Sequence, residues 1–290
     1  MKSRVSNKRK KTKIERIIFS LIFVVFAVYA LSLCYVLIFS FLNSFKTPSE
    51  YYDDSFAFPK AWRWMNYLKA FDELQVEGAN FLEMLFNSIW WAGGHVLLHM
   101  GVIILFAYVI ARFRFPGRSV LLFINYICIL VNVYGETSAS YVYYATLGIL
   151  NTPFMLLSAL GAFGTTVLIV MSFMESLSWG YAEAAEIDGA NEFTIFGAIY
   201  IPLLLPIVGT LGLVQFITTW NDYMGPLLYM EDFPTLSSGL YEYRVYSVER
   251  KGNYPIYFAG LLITVTPVLV LYSIFSETIM TNMGVGGLKG

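Results

Sequence analysis

The chain has 290 residues, of which 57% are hydrophobic and only 13% are charged, and its formal net charge is −1. Soluble domains typically carry ~25% charged residues, so this composition excludes an ordinary soluble protein. Long uncharged runs instead predict an all-α membrane protein that crosses the bilayer several times.

Six stretches are long and apolar enough to cross a hydrocarbon core of ~30 Å as helices. The basic residues concentrated in the N-terminal 16 positions, and three arginines after the second span, indicate the cytoplasmic side. Both termini are therefore expected inside the cell. The predicted segments are a basic head (1–16), the first span (17–42), an external segment of short interfacial helices (43–83), five further spans (86–111, 120–144, 152–174, 203–223 and 255–280) and a cytoplasmic tail (281–290).

The sequence contains no motif for phosphate binding, zinc proteolysis or a serine nucleophile. His95 and His99 share a helix face but lack a third ligand nearby, so packing or a polar contact is expected there rather than a metal. Cys34 and Cys128 lie in apolar runs and are expected to be small core residues. Because the spans also lack the paired carboxylates of a proton-coupled carrier, the chain is expected to have no energy source of its own.

An acidic insert between the fourth and fifth spans predicts a helix–turn–helix. Residues 183–188 favour a helix, Gly189 can adopt the left-handed conformation that ends it, and Asn191 can cap a second helix. Pro202 and Pro206 are expected to interrupt that second helix. Its aromatic stripe at the membrane surface indicates docking to a partner, and the insert's lack of any basic residue predicts a basic rim on that partner. The stripe comprises Phe193, Phe196, Ile199 and Tyr200.

Polar residues near the membrane edges are candidates for lining a solute pathway. An acid at such a position faces protein or water rather than lipid, so Glu136 either lines a polar path or pairs with a neighbour at the interface. The external loop 231–254 is rich in tyrosine, which suits either sugar stacking or simple interfacial packing. The candidate pathway residues are Asn132, Glu136, Trp220, Asn221 and Tyr223.

The insert resembles a known family motif. The residues Glu183-Ala184-Ala185-x-x-Asp188-Gly189-Ala190, continued by Ile199-x-Ile201-Pro202, resemble the EAA motif of permease subunits in binding-protein-dependent ABC importers. Other stretches resemble the maltose-type carbohydrate branch of that family, and the resemblance extends over about residues 84–290. Those stretches are Asn87-Ser88, residues 107–117, 147–152 and 220–223, and the C-terminal residues 286–290.

This resemblance implies a type I importer fold of six transmembrane helices, with a permease core at 84–280 and a coupling-helix loop at about 175–202. It implies a subunit of an ATP-driven importer for a sugar or oligosaccharide in a bacterial or archaeal cell membrane. The implied partners are a second homologous permease, a dimer of ATPase subunits that hold ATP and magnesium, and an extracytoplasmic binding protein; no cofactor is expected in this chain, and no nucleic acid. The residues expected to couple to the ATPase are Glu183, Ala184, Ala185, Asp188, Gly189, Ala190, Phe193, Phe196 and Pro202. Those expected to contact the binding protein are Tyr241, Tyr243, Arg244 and Tyr246.

Three alternatives remain open at this stage. The same branch of the family also serves polar solutes such as a glycerol-phosphate ester, but an anionic solute calls for Arg or Lys in the spans, and none lies between Val120 and Met230. An ion-coupled secondary carrier would need a buried acid essential for coupling. A membrane-embedded enzyme would need a nucleophile–base or metal set.

The third span also departs from the family pattern, since residues 131–141 contain Glu136 and no proline.

Overall fold

A computed structural model describes residues 13–131, 136–248 and 252–285, and these parts of the chain are almost entirely helical. Two π-helical segments (Phe196–Tyr200 and Tyr243–Val248) and a 3₁₀ helix (Pro153–Ala159) join the α-helices. The α-helices are α1 (Lys13–Ser44), α2 (Pro48–Asp53), α3 (Met65–Glu73), α4 (Phe81–Arg112), α5 (Arg118–Leu130), α6 (Glu136–Leu147), α7 (Thr165–Ser176), α8 (Gly180–Ile187), α9 (Glu192–Ile195), α10 (Ile201–Asn221), α11 (Met224–Tyr229), α12 (Leu236–Glu242) and α13 (Tyr254–Val285).

Among the described residues, four helical segments are long and apolar enough to cross a membrane: α1, α4, the continuous stretch Glu192–Asn221, and the stretch Tyr254–Glu277 of α13. The other two apolar helices, α5 and α7, are shorter. The chain is thus an all-α membrane protein, and α2 and α3 are the short helices predicted for the external segment.

Two predicted spans are not single helices. α5 ends at Leu130, and its C-cap Val131 is extended (φ −94°, ψ 103°), so the continuous helix predicted for 120–144 is wrong. The helix predicted for 152–174 is also wrong, because the chain leaves helical geometry before Gly164, which has φ +139°. The amide N–H of Gly164 donates to Oδ1 of the buried Asn125 at 2.7 Å, and such a partner is what non-helical backbone needs at membrane depth.

Helix α4 is the central element of the fold. It begins with a capping box, in which Asn80 Oδ1 accepts from the amides of Leu82 and Glu83 while Glu83 accepts from the Asn80 amide. Along its length it packs against α7, α10 and α12. Near its start, Asn87 donates to the Pro234 carbonyl at 3.0 Å and the Ser88 hydroxyl accepts from the Leu236 amide at 2.8 Å.

Two buried apolar clusters lie at opposite ends of α4. The loop-side cluster contains residues from the C-terminal half of α4, from α7 and from the segment 182–207, including Ile103, Val170 and Ile195. The other cluster joins the start of α4 to α3, α12 and α13. One continuous helix therefore connects both ends of the core.

Proline does not break the helices where the sequence predicts it. Pro202 follows the π-helical segment 196–200 and opens α10, and Pro206 lies inside α10. The wider π turn accommodates the ring that lacks an N–H donor, so the chain is helical from Glu192 to Asn221. The interruption predicted at Pro202 and Pro206 is wrong.

The two cysteines are surface residues rather than core residues. Cys34 on α1 and Cys128 on α5 are both exposed. The apolar side chains of α1 are also largely exposed, so lipid or another subunit must cover this helix. The expectation that the cysteines lie in the core is wrong because both helices pack on the chain through only part of their surface.

Close packing at Gly260 on α13 provides a test of how the end of α3 packs on α13. A Cβ at Gly260 would lie 2.3 Å from Cδ1 of Leu74, which is itself fully buried, whereas a Cβ at Gly209 on α10 would meet nothing within 4 Å. We predict that Gly260→Val lowers the free energy of unfolding by about 1–3 kcal/mol through overpacking. Gly209→Val should change it by less than about 0.5 kcal/mol. Thermal unfolding of the detergent-purified protein measures both, and equal midpoints for the two variants would contradict the packing of α3 on α13.

Candidate coupling surface and solute cavity

The acidic insert folds as the sequence predicts, because its turn is built from local hydrogen bonds. α8 ends at Ile187, Asp188 is its C-cap, and Gly189 follows with φ +84°. The amide of Gly189 donates to the Glu186 carbonyl at 3.0 Å, and the amide of Ala190 donates to the Ala185 carbonyl at 2.9 Å. These two bonds form a Schellman motif, which satisfies the last carbonyls of the helix and requires the left-handed residue that glycine supplies.

Asn191 then starts the next helix, since its side-chain oxygen accepts from the Thr194 amide at 2.9 Å. Ala182 is fully buried, and Ala185 and Ala190 pack partly buried against the loop-side cluster. The opposite side of the loop is exposed. We call this side the docking face and define it as Glu183, Ala184, Ile187, Asp188 and Phe193.

The docking face has an apolar centre. Ile187 and Phe193 are each 86% exposed, while the acids Glu183 and Asp188 lie beside them and make no ion pair with any described residue. Exposed apolar side chains grouped with charges are typical of a protein contact. Sequence reasoning missed Ile187, although its position four residues after Glu183 places both on one helix face.

Arg112, the last residue of α4, attaches the loop to the rest of the protein. Its guanidinium forms an ion pair with Glu186 and lies 3.8 Å from Glu192, and its side chain is only 9% exposed. It also lies over the Trp179 ring, 4.9 Å from the centroid, a favourable cation–π geometry. Tyr108, one turn earlier on α4, donates its hydroxyl to Glu192 at 2.8 Å.

These contacts correct one prediction about the acids of the insert. Glu175 accepts from Arg118 at 3.0 Å, and Glu186 and Glu192 bind Arg112. Three of the five acids therefore have basic neighbours from the turn between α4 and α5, which the insert's own sequence does not contain. The predicted partner rim has only Glu183 and Asp188 to neutralise.

The aromatic stripe is divided between the two sides of the loop. Phe196 is half-buried with its ring centroid 4.7 Å from that of Tyr108, and the buried Tyr200 lies 5.2 Å from the same ring. The rings of Phe196 and Tyr200 therefore pack within the chain. Of the three aromatic residues in the stripe, only Phe193 is almost fully exposed and available to a partner. Pro202 is exposed near the start of α10.

An open-sided cavity of about 480 Å³ lies between α4 and the C-terminal end of α10. Gln215 Nε2 donates to the Thr219 hydroxyl at 3.3 Å, the Thr218 hydroxyl donates to the Val214 carbonyl at 2.9 Å, and Asn221 Nδ2 donates to the Ile217 carbonyl at 2.8 Å. The cavity's lining is polar and aromatic, and it comprises Trp91, His95, Gln215, Thr218, Thr219, Asn221 and Asp222.

The structure separates the candidate pathway residues. Asn221 lines this cavity, as well as a neighbouring one of about 230 Å³ that Tyr223 also lines. Trp220 is 3% exposed and donates its indole N–H to the Thr264 carbonyl at 3.2 Å, so the prediction that it lines the pathway is wrong. Its ring serves to pack α10 on α13. Asn132 and the side chain of Glu136 lie outside the described residues.

Sequence reasoning missed most of the first cavity. Trp91 and His95 are four apart on α4 with their ring centroids 5.7 Å apart, and Gln215 and Thr218 share a face of α10 with Asn221. The sequence feature that could have identified these residues is a set of polar side chains within apolar spans. Such side chains cost free energy in the membrane unless they face protein or water. His99 contacts the Ala159 carbonyl through Nδ1 at 3.2 Å, which is a polar contact of the kind predicted.

The loop 231–254, which the sequence predicts to be external, has one buried and three accessible candidates for a binding-protein contact. Tyr243 is 5% exposed, and burial raises the pKa of its hydroxyl to about 12 with a further contribution from Glu73. It is unavailable to a partner, so the prediction of a binding-protein contact at Tyr243 is wrong. Arg244 and Tyr246 are exposed, and Tyr241 stacks on Tyr223 with ring centroids 4.7 Å apart.

Known proteins resemble this chain over most of its length. It is 28% identical to the diacetylchitobiose uptake system permease protein NgcG of Streptomyces coelicolor over 255 residues, which cover 86% of this chain and 82% of that protein. It is 24% identical to the maltodextrin transport system permease protein MdxG of Bacillus subtilis, with 80% of this chain and 83% of that protein covered.

Solved structures and a family profile agree with this. The structure superposes with a TM-score of 0.79 on a chain of a bacterial ABC transporter involved in the import of the acidic polysaccharide alginate, covering 93% of this chain and 99% of that one at 23% identity. That likeness identifies the fold. The profile of the family described as binding-protein-dependent transport system inner membrane component matches residues 103–279. The chain belongs to the family of binding-protein-dependent transport system inner membrane components.

Proposed function

We propose that this protein is the membrane-spanning subunit of an ATP-driven importer that takes up a neutral sugar or oligosaccharide delivered by an extracytoplasmic binding protein. The observation that carries the proposal is the docking face, an exposed apolar and acidic surface that the contacts of Arg112 attach to the end of α4. A subunit with no energy-coupling chemistry of its own needs such a surface to receive the movement of another subunit.

The docking face would contact an ATPase subunit in the cytoplasm, with the N- and C-termini on the same side. Ile187 and Phe193 offer apolar side chains to a groove, and Glu183 and Asp188 offer carboxylates to basic groups on its rim. ATP and magnesium would be held by that partner, since hydrolysis belongs to it. A second, related permease subunit would cover the exposed faces of the spans and complete the pathway.

The mechanism that follows is alternating access. When the ATPase subunits close on ATP, the loop moves with them, and the Arg112 contacts transmit that motion to α4 while the continuous helix from Glu192 transmits it to α10. These same two helices line the larger cavity. Their displacement would change the side of the membrane to which the cavity opens.

Several observations support a neutral carbohydrate as the solute. The curated relatives include proteins named for uptake of diacetylchitobiose, maltodextrin and arabinooligosaccharides. The larger cavity has one acid, Asp222, and no Lys or Arg in its lining, which disfavours an anionic glycerol-phosphate ester.

The tail around Lys289 lies outside the described residues, so its contact with the ATPase stays a prediction.

Uptake measurements test the proposal against an ion-coupled carrier. Vesicles containing this chain, its partner permease and the ATPase should accumulate radiolabelled maltotriose, arabinotriose or diacetylchitobiose only with internal ATP and external binding protein. Accumulation should persist when ionophores collapse the proton and sodium gradients. Uptake that is abolished by ionophores and independent of ATP would establish a secondary carrier instead.

The turn at Gly189 provides the first prediction for the coupling role. We expect Gly189→Val to reduce ATP-driven uptake about tenfold or more, because a β-branched residue is strained at φ +84° and the Schellman turn that orients the docking face is lost. Membrane abundance should be unchanged. Gly161→Val is the matched control, since both glycines are exposed loop residues and a Cβ meets nothing within 4 Å at either position, but only Gly189 of the two has a positive φ. Equal uptake by the two variants would remove the turn from the mechanism.

The second prediction concerns the attachment of the loop to α4. Arg112→Met should increase amide hydrogen exchange across residues 180–195 by about tenfold, because breaking a partly buried ion pair leaves Glu186 and Glu192 without their cation. Arg114→Met is the control, since Arg114 is exposed in the same turn and forms no ion pair with the described residues. Unchanged exchange in the Arg112 variant would show that apolar packing alone holds the loop.

A further inference from the structure

The cavity between α4 and α10 has features of a ligand site that the packing of the chain does not require. We propose that it is a binding site for an uncharged, polyhydroxylated solute, so that this subunit contacts the cargo directly rather than only framing a path lined by the second permease. This inference rests on the proposed function and specifies which subunit and which residues recognise the solute.

Unmatched polar atoms are the first argument. Trp91 Nε1 and His95 Nδ1 are both shielded from solvent and have no hydrogen-bond partner among the described residues. Buried polar groups in native proteins are nearly always hydrogen-bonded, so two unpaired buried nitrogens on adjacent turns of one helix are unusual. Both side chains line the cavity, so the α4 wall of the cavity carries two polar side chains with an unpaired nitrogen each.

The facing helix offers complementary groups. Gln215 and Asn221 use their amide nitrogens within α10, which leaves their side-chain carbonyl oxygens without partners among the described residues. The Thr218 hydroxyl donates to its own helix and keeps its lone pairs for an acceptor role. The cavity therefore combines the indole donor of Trp91 and the imidazole of His95, which can donate or accept, with acceptors on α10. This set matches hydroxyl groups, because each hydroxyl both donates and accepts.

The charge of the lining and the volume of the cavity restrict the class of ligand that it can bind. Asp222 is the sole charged side chain in the lining, and its Oδ1 already accepts from the amides of Met224 and Gly225 at 3.0 and 3.2 Å. Within this first cavity, an anionic solute would meet a carboxylate with no compensating cation. The volume of about 480 Å³ falls within the ~300–1,000 Å³ of typical small-molecule sites.

A second cavity extends the site toward the external loop. Asn221 lines both cavities, and the smaller one is also lined by Tyr223, Tyr241, Arg244 and Tyr257. A chain of sugar units longer than the first cavity can hold would therefore continue past Asn221 onto the tyrosines. This arrangement suits an oligosaccharide better than a compact solute.

Cysteine protection tests the site directly. The importer is assembled with its partner permease, ATPase and binding protein from a chain carrying Cys34→Ser and Cys128→Ser, both surface positions. Thr218→Cys is then labelled with a small, water-soluble thiol reagent, with and without whichever of maltotriose, arabinotriose or diacetylchitobiose the wild-type importer takes up. We expect the saccharide to slow labelling about tenfold when it is present at roughly ten times its dissociation constant.

Thr266→Cys is the matched control. Both threonines are exposed and donate their hydroxyl to the carbonyl four residues earlier, but Thr266 lies on α13 outside both cavities. Its labelling should not respond to saccharide. In the uptake assay, Thr218→Val should lower the rate roughly two- to tenfold, and Thr266→Val should leave it unchanged at equal membrane abundance.

The outcomes distinguish this inference from the proposed function. If the wild-type importer takes up none of the three saccharides, the carbohydrate function itself fails. If it takes up one of them while the thiol of the Thr218→Cys variant is not protected and Thr218→Val transports normally, the importer stands and the site in this subunit is refuted. Equal protection of the thiols in the Thr218→Cys and Thr266→Cys variants indicates a global change of conformation and also refutes the site.

Discussion

The ion pairs of the Arg112 guanidinium are the interactions on which the position of the docking face depends. The guanidinium lies at the C-terminal end of α4, where a cation is favoured by the helix dipole, and it binds acids from both helices of the loop, Glu186 on α8 and Glu192 on α9. The indole of Trp179 covers its face. Because the side chain is largely shielded from water, these ion pairs are screened less than pairs on an open surface.

The contact of Arg112 with Glu186 and Glu192 is one of two connections through which a displacement of the loop would reach the larger cavity. From Arg112 back to His95, α4 extends about 26 Å at 1.5 Å per residue, and the middle of α4 carries the Trp91–His95 wall of the larger cavity. The second connection is covalent, since the helix that starts at Glu192 continues without a break to Asn221 on the opposite wall. A rigid displacement of the loop would therefore act on both walls together. The π turn at 196–200 is the local irregularity in this second connection and marks where it can bend.

Features set by neighbouring residues could be predicted from the sequence, and features set by distant contacts could not. The Gly189 turn and the Asn191 cap follow from local backbone requirements, and the hydropathy pattern indicates the membrane spans. The pairing of Arg112 with Glu186 joins residues 74 positions apart, so no local pattern in the insert reports it. Trp220 and Tyr243 were misassigned because composition does not reveal which face of a helix packs inward. The break before Gly164 depends on Asn125, again a distant partner.

The most direct test of this account is the distance between the docking face and α4 during the ATPase cycle. Spin labels at Phe193→Cys and Val109→Cys, both exposed positions, would be placed in the assembled importer with Cys34 and Cys128 replaced by serine. If Arg112 holds the loop to α4 as one rigid unit, the measured distance distribution stays narrow and unchanged between the nucleotide-free and ATP–vanadate states. A shift of several ångströms between those states would show that the loop moves independently of α4 and would contradict the central claim.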